Sequence, residues 1–246
     1  MRPIVYIIAD LHLSGSVDKP MQVFGPEWDN HAERIRENWM ERVREEDIVF
    51  LPGDFSWGID LEEALADFRF LESLPGTKVL SKGNHDYWWT TVSKMQQFLE
   101  SNGILSVEFL HNNARAAQGM IVCGTKGYQW NNQDSTAQNE KLIHREACRL
   151  ELSLEEGMRL RQKLPGYEEA ELIAVMHYPP VVVGQKNEHF LEILQTYGVK
   201  RCYYGHIHGA AKASALTGWY QGVEFSLISA DFLSFCPQKI DKTVSF

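Results

Sequence analysis

The chain has 246 residues and a net charge of −9, so it is long enough to bury a substantial core. The acidic balance, with a pI near 5.5, weighs against broad binding to a nucleic-acid backbone, which requires a basic face. No stretch has the length and apolarity of a membrane span, and the first apolar run begins too early for a signal peptide. These features predict a cytoplasmic protein without a membrane partner.

The four cysteines lie far apart and form no CxxC pair, so neither a zinc finger nor a redox motif is indicated. Histidine is the more informative residue type. Five of the nine histidines lie at the ends of apolar runs, beside glycine, aspartate, asparagine or one another: His12, His85, His177, His206 and His208.

The first apolar run, residues 4–9, has the length of a strand that is covered on both faces. It ends in Asp10-Leu11-His12. Residues two apart on an extended chain point the same way, so Asp10 and His12 are predicted to converge on a divalent cation. A buried hydrogen bond between the two side chains is the alternative.

The next elements alternate between helix and strand. Asp29 or Asn30 is predicted to cap a helix that carries apolar residues four apart, and residues 47–51 form a strand that runs into Gly53-Asp54. Asp60 and Glu63 form a predicted capping box for a second helix, which ends at Pro75-Gly76.

A third strand, residues 78–80, leads into Gly83-Asn84-His85-Asp86. An amide, an imidazole and a carboxylate directly after a strand suggest a ligand site, because ligands bind beyond the carboxyl ends of strands in open α/β sheets. An ordinary turn is the alternative. Asp86 either orients His85 or caps the following helix, which is predicted from residue 92 to Asn102-Gly103. Three strand–helix units favour βαβ crossovers and a largely parallel sheet.

The second half is richer in strands. Strands are predicted at residues 107–110, 120–123, 172–176, 199–204 and 223–230, with a long helix at about 134–164 and a short one near 190–194. In the long helix, Leu142, Leu150 and Leu154 are predicted to face inward, and Gly157 is a weak point. The strand at 172–176 ends in His177, and the strand at 199–204 ends in Gly205-His206-Ile207-His208, where extended geometry places both imidazoles on one side. No linker interrupts the chain, so residues 1–246 are predicted to form one domain.

Five strand ends thus deliver metal-ligand side chains: Asp10 with His12, Asp54, Asn84 with His85, His177, and His206 with His208. Buried carboxylates and imidazoles are costly unless they are compensated. The set has too many donors for one closed tetrahedral zinc site and lacks thiolates, but it suffices for two ions that share a carboxylate. Mixed nitrogen and oxygen ligands suit Mn, Fe, Zn or Ni better than Ca or Mg alone. Two such ions about 3.5–4 Å apart are typical of enzymes that cleave phosphoesters by in-line displacement at phosphorus.

The order and approximate spacing of these five blocks resemble the calcineurin-like metallophosphoesterase superfamily over nearly the whole chain. The resemblance implies an α/β protein, a four-layer α/β/β/α sandwich of two mixed sheets. It also implies that Asp10, His12 and His208 hold one metal, that Asn84, His177 and His206 hold the other, and that Asp54 bridges them. His85 would protonate the leaving group or stabilise the phosphoryl oxygens, and a metal-bridging hydroxide would attack phosphorus.

The chain departs from particular branches of that superfamily. The Asp-Arg pair that follows Gly-Asp in the Ser/Thr protein phosphatases is absent, because Gly53-Asp54 is followed by Phe55-Ser56. The DNA-binding segments and less acidic surface of the nuclease branch are also missing. The sequence therefore predicts a phosphoesterase for small-molecule phosphomonoesters or phosphodiesters. A nuclease and a non-catalytic metal-binding interaction scaffold are the alternatives.

Several residues near the predicted strand ends are candidates for substrate contact. The aromatic residues either form a wall that stacks a base or a sugar, or pack under loops; they are Trp57, Tyr87, Trp88, Trp89, Tyr128 and Trp130. Lys126, Lys186 and Lys212 are either phosphate contacts or solvated surface residues.

Overall fold

The first half of the chain alternates strands and helices, as the sequence predicts. The computed structural model describes residues 3–129, 131–182 and 185–241. Its elements up to residue 109 are β1 (Val5–Ile7), α1 (His31–Arg42), β2 (Ile48–Pro52), α2 (Leu61–Glu72), β3 (Thr77–Ser81), α3 (Val92–Ser101) and β4 (Val107–Phe109). Strands β1 to β4 pair in parallel in that order, which is the pairing that βαβ units produce.

The second half forms another sheet. Its elements are β5 (Ala114–Ala117), β6 (Met120–Thr125), α4 (Thr136–Lys163), β7 (Glu171–Met176), β8 (Val181–Val182), β9 (Gln185–Lys186), α5 (Glu188–Thr196), β10 (Arg201–Tyr204), β11 (Gly218–Tyr220), β12 (Val223–Leu227) and β13 (Gln238–Ile240). The spatial order is β11-β12-β10-β7-β6-β5, with parallel pairing in the centre and antiparallel pairing at both edges. Strand β13 instead crosses to the first sheet and pairs antiparallel with β1.

Alternating strand residues divide the core into three parts. Ile7 and Ile173 belong to one buried cluster that combines residues of both sheets. Their neighbours point the opposite way: Ile8 packs with α1, α2 and α3, and Ala174 packs with α4 and α5. The sheets are therefore stacked on each other with helices on both outer faces, which is the predicted α/β/β/α sandwich of two mixed sheets.

Helix α4 runs unbroken through Gly157, the residue predicted to weaken it. A Cβ at this position would lie 2.6 Å from the Cys123 Sγ atom and 3.2 Å from Leu172. Glycine is therefore required for close packing of the helix on the sheet. On the inner face, Leu150 and Leu154 are buried as predicted, but Ile143 takes the place expected for Leu142.

The helix caps differ in detail from the sequence expectation. Asn30 precedes α1 in a left-handed conformation, and its side chain makes no capping bond. Asp60 does cap α2 through the Glu63 amide, at 2.9 Å. In return, the Ile59 amide donates to the Glu63 carboxylate at 3.0 Å, so the capping box is shifted by one residue.

The strands that sequence patterns missed are short edge elements. β5, β11 and β13 each lie at an edge, and β8 and β9 pair antiparallel with each other in a separate two-stranded sheet. Each has two to four residues, which is too few for a recognisable alternation. None of the helices in the described ranges is long and apolar enough to cross a membrane.

Candidate dinuclear metal centre

Four of the seven predicted ligands have left-handed backbone conformations: Asp10 (φ 61°), His12 (φ 47°), Asp54 (φ 52°) and His206 (φ 71°). Such angles are uncommon outside glycine and cost roughly 1–3 kcal/mol each. The prediction that residues 10–12 and 206–208 are extended is therefore wrong. Backbone bonds hold the turns, since the Asp10 and His12 amides donate to the Gly53 and Asp54 carbonyls, both at 3.0 Å.

The turned segments bring the ligand atoms into two clusters. Asp10, His12 and His208 form the first cluster, and Asp54, His177 and His206 form the second. Within each cluster the candidate ligand atoms lie within 4.8 Å of one another. Each cluster thus has the spacing of side chains that surround a single ion.

Asp54 belongs to the second cluster and also faces the first. Its Oδ2 atom is 3.5 Å from the His177 Nε2 atom and 3.8 Å from the His12 Nε2 atom. One carboxylate oxygen therefore faces an imidazole of each cluster, as a bridging ligand requires. The Asn84 Oδ1 atom lies 2.6 Å from the same His177 Nε2 atom, so the amide joins the second cluster.

Two glycines let the strand ends approach each other. A Cβ on Gly83 would lie 2.2 Å from the Asp54 amide nitrogen, and one on Gly205 would lie 2.4 Å from the Asp10 Oδ2 atom. Any larger residue would push one carboxylate out of its place. Asp10 Oδ2 instead accepts the His206 amide at 2.9 Å.

The electrostatics of the centre favour cations. Burial raises the pKa of Asp10 to about 7, and burial also raises the pKa of Asp54. Burial lowers the pKa of His12 and His177 well below the ordinary range, and lowers that of His206 to about 2. The imidazoles of His12, His177 and His206 are therefore neutral, as coordination to a metal requires, and a bound cation would offset the cost of charging the two buried carboxylates.

Three atoms of proposed ligand residues also make no hydrogen bond. Within the described ranges, they are the buried Asp10 Oδ1, His12 Nδ1 and His208 Nε2 atoms. Buried polar atoms are rarely left unsatisfied in folded proteins. The residues present therefore fit a pair of bound metal ions.

The family comparison agrees with this geometry. The family model described as calcineurin-like phosphoesterase matches residues 4–210. The chain belongs to this family. This match confirms the family that the sequence resembles. The protein is therefore a metallophosphoesterase, and its structure contains two His/Asp clusters.

The phosphoesterase chain matches one curated relative over part of its length. It is 36% identical over 83 residues to the Gene 66 protein of Mycobacterium phage D29, a match that covers 33% of this chain and 40% of that protein. The chain thus spans less than half of that relative's length.

Solved structures show the same fold. The crystal structure of phosphopantetheinyl hydrolase from Mycobacterium tuberculosis matches with a TM-score of 0.54 and 15% identity, over 97% of this chain and 96% of that one. A protein of unknown function from Aquifex aeolicus matches over the same shares, with a TM-score of 0.51 and 16% identity.

Asp86 has a role that neither sequence interpretation anticipated. It is fully buried and neither orients His85 nor caps a helix. Its carboxylate accepts the backbone amides of Gly83 (2.7 Å), Asp54 (3.0 Å) and Phe55 (2.9 Å). Asp86 therefore fixes the two turns that present Asp54 and Asn84 to the phosphoesterase site.

Asp231 is a site residue that sequence reasoning missed. Its Oδ1 atom lies 2.9 Å from the His208 Nδ1 atom, and its Oδ2 atom accepts from Lys212 Nζ at 3.0 Å. Although burial opposes it, the hydrogen bond and charge of His208 lower the pKa of Asp231 to about 2. An aspartate directly after the run predicted at 223–230 repeats the pattern seen at Asp10, and this signal was available in the sequence.

His85 lies beside the ligand clusters. Its backbone amide donates to the Asp54 Oδ1 atom at 2.8 Å. Its ring centroid is 5.8 Å from that of His12 and 4.4 Å from that of Trp57. The ring also lines a cavity of about 320 Å³ together with His12 and His208, so a substrate in that cavity would contact it.

The predicted aromatic wall divides between the core, the surface and two cavities. Trp88 and Trp89 are buried in the cluster under α2 and α3, whereas Tyr87 is exposed. Trp57 stacks on His12, with ring centroids 5.0 Å apart. Tyr128 lines a separate cavity, and Trp130 lies outside the described residues.

The predicted phosphate-contacting lysines have other neighbours. Lys186 pairs with Glu188 at 2.6 Å, Lys212 pairs with Asp231, and the Lys126 Nζ atom lies 5.6 Å from the centre of the Tyr178 ring. Lys19, which the sequence did not single out, lies 4.7 Å from the centre of the Trp57 ring. Lys19 is therefore a cation close to Trp57 and, through that ring, to His85.

Proposed function

We propose that this chain hydrolyses a small-molecule phosphomonoester or phosphodiester at a dinuclear metal centre. The observation that carries the proposal is the pair of ligand clusters that meet at the Asp54 carboxylate. The buried Asp10 Oδ1 and His208 Nε2 atoms support it, because neither makes a hydrogen bond and a cation would satisfy both.

In this proposal the seven polar side chains divide between two ions. Asp10, His12 and His208 would hold the first ion, Asn84, His177 and His206 would hold the second, and Asp54 would be shared by both. When bound, the ions polarise the phosphoryl oxygens and lower the pKa of water. Mn, Fe, Zn and Ni suit this mixed nitrogen and oxygen ligand set.

His85 acts on the substrate rather than on a metal in this scheme. Its ring faces the cavity next to the first cluster, where the leaving-group oxygen would lie. Burial lowers the pKa of His85, so the neutral ring donates a hydrogen bond from its N–H group. Such a donor stabilises charge on the phosphoryl or leaving-group oxygen as the ester bond breaks.

The size of the cavity and the charge of the chain favour a small substrate. A cavity of about 320 Å³ is at the lower end of the range for ligand sites, about 300–1,000 Å³. The net charge of −9 disfavours a polyanionic strand, whose binding depends on a basic surface. Because the donor set is complete, a non-catalytic scaffold is the weaker alternative.

Metal-dependent turnover tests the proposal. Chelated protein is supplied separately with Mn, Ni, Zn or Mg and assayed with chromogenic phosphomonoesters and phosphodiesters, while metal content is measured by mass spectrometry. We expect about two ions per chain and turnover only after metal is restored. Full metal occupancy without hydrolysis of any ester would favour the scaffold, and cleavage restricted to nucleic acid would favour the nuclease.

A further inference from the structure

The cavity beside His85 has a polar floor and an apolar wall. It is lined by His12, Met21, Phe24, Trp28, Trp57, His85, His208 and Gly209. The three histidines belong to the proposed centre or lie next to it. The remaining side chains are hydrocarbon, thioether or aromatic, and none of the eight is a carboxylate.

A second cavity of similar size, about 330 Å³, provides a contrast. Its lining includes Glu140, Lys186 and Glu188. None of the seven proposed ligands lines it. Of these two cavities, the apolar one is lined by proposed ligands, His12 and His208 of the first cluster, so the group attached to phosphorus would enter that one.

The apolar cavity leaves part of its hydrophobic lining in water. Phe24 lines the cavity and is 59% exposed. The Tyr87 ring is exposed as well, and its centroid lies 6.2 Å from that of His85. Exposed apolar groups at a concave site mark a surface that is covered when a ligand binds.

A cation lies beside this cavity. The Lys19 Nζ atom lies over the Trp57 ring, and that ring lies 4.4 Å from the ring of His85. We expect this ammonium to attract an anionic phosphoester toward the cavity. The apolar wall consists of hydrocarbon, thioether and aromatic groups, which solvate a charged or strongly hydrated group poorly.

We propose that the substrate is the phosphoester of an uncharged apolar alcohol about the size of one aromatic ring, with that ring packed against Met21, Phe24 and Trp28. This inference rests on the proposed phosphoesterase function. It narrows the substrate class to aryl or similarly apolar phosphoesters and disfavours sugar phosphates, whose hydroxyl groups would be buried without hydrogen bonds.

Calorimetric binding of two non-hydrolysable probes to the metal-loaded protein tests the inference. Phenylphosphonate and methylphosphonate carry the same phosphonate group and differ in the apolar group. We expect phenylphosphonate to bind about tenfold more tightly or better, as a filled hydrophobic pocket provides. We also expect it to show a more negative heat-capacity change, the mark of apolar burial.

The Phe24→Ala variant tests whether the phenyl ring of the probe binds in this cavity. Phe24 is 59% exposed, so its truncation leaves the core intact. It should remove most of the advantage of phenylphosphonate and leave methylphosphonate unchanged. Trp219→Ala is the matched control, since Trp219 is 67% exposed on β11 and should change neither affinity.

The outcomes separate the two proposals. Equal affinity for both phosphonates overturns the apolar-substrate inference and leaves the phosphoesterase proposal standing. An advantage for phenylphosphonate that persists unchanged in Phe24→Ala also overturns the inference. If neither phosphonate binds to protein that carries two ions, the phosphoesterase proposal itself fails.

Discussion

The two ligand clusters are built from the same residue types but are supported differently. In the first cluster, His208 is fixed by the Asp231 carboxylate, which lies 2.9 Å from its Nδ1 atom. In the second cluster, His206 packs against the Tyr178 ring, with centroids 4.3 Å apart. One imidazole is therefore held by a charged hydrogen bond and the other by an aromatic contact.

This difference changes how strongly each imidazole donates to a metal. Although burial opposes it, the charges of Asp10 and Asp231 raise the pKa of His208, whereas burial lowers that of His206 to about 2. A carboxylate behind a ligating histidine raises its basicity and fixes its orientation. We therefore expect the first cluster to bind its ion more tightly than the second.

Asp54→Ala should weaken metal binding at both clusters, because it removes the ligand that they share. We expect occupancy to fall from two ions to at most one, and turnover to fall by more than about 100-fold. Metal analysis and the chromogenic assay measure both effects. Asp241→Ala, which alters an exposed carboxylate, is the control, and normal metal content in Asp54→Ala would contradict the bridging role.

His85→Ala should separate turnover from metal binding. Both clusters keep their ligands, so two ions should remain while turnover falls by about 10²–10⁴-fold, the usual contribution of a proton-donating residue. His144→Ala, at an exposed position on α4, provides the control. A variant that binds two ions and retains full turnover would remove His85 from the mechanism.

Asp231→Asn should weaken the first ion selectively. Loss of the carboxylate behind His208 is expected to reduce affinity for that ion by about 10–100-fold, as measured by competition with a chelator. Asp47→Asn is a matched control. Asp47 is also buried, but its carboxylate accepts the backbone amides of Ile4 and Arg44. Equal weakening of both ions would show that Asp231 only stabilises the fold.

Tyr178→Leu should have the smallest effect and should act on the second ion. The aromatic contact with His206 is worth about 0.5–1.5 kcal/mol, so affinity for that ion should fall by about two- to tenfold. The same chelator titration measures it, with Tyr220→Leu on β11 as the control. A loss as large as that in Asp231→Asn would mean that the two supports are equivalent.

The sequence predicted which residues meet, but for a partly mistaken reason. Asp10 and His12 were expected to converge because an extended chain places alternate residues on one side. They converge because both turn into left-handed conformations. Residue type and position after a strand are encoded locally, whereas these φ angles depend on contacts with Gly53 and Asp54, more than 40 residues away along the chain.

The supporting residues were harder to predict for the same reason. Asp86 is next to His85, yet its hydrogen bonds reach back to Asp54 and Phe55. Asp231 supports a histidine 23 positions earlier. Local patterns give strands, helices and candidate ligands, but they do not show which backbone amide or imidazole a distant carboxylate will meet.

The path of the chain through the two sheets sets the order in which the site can assemble during synthesis. Asp10 receives its hydrogen bond from the His206 amide, and β1 is completed by β13. Such long separations make folding slow, because chain entropy is lost before these contacts form. The last proposed ligand, His208, and the carboxylate that fixes it, Asp231, both lie late in the chain, so we expect metal loading to follow translation of most of the chain described here.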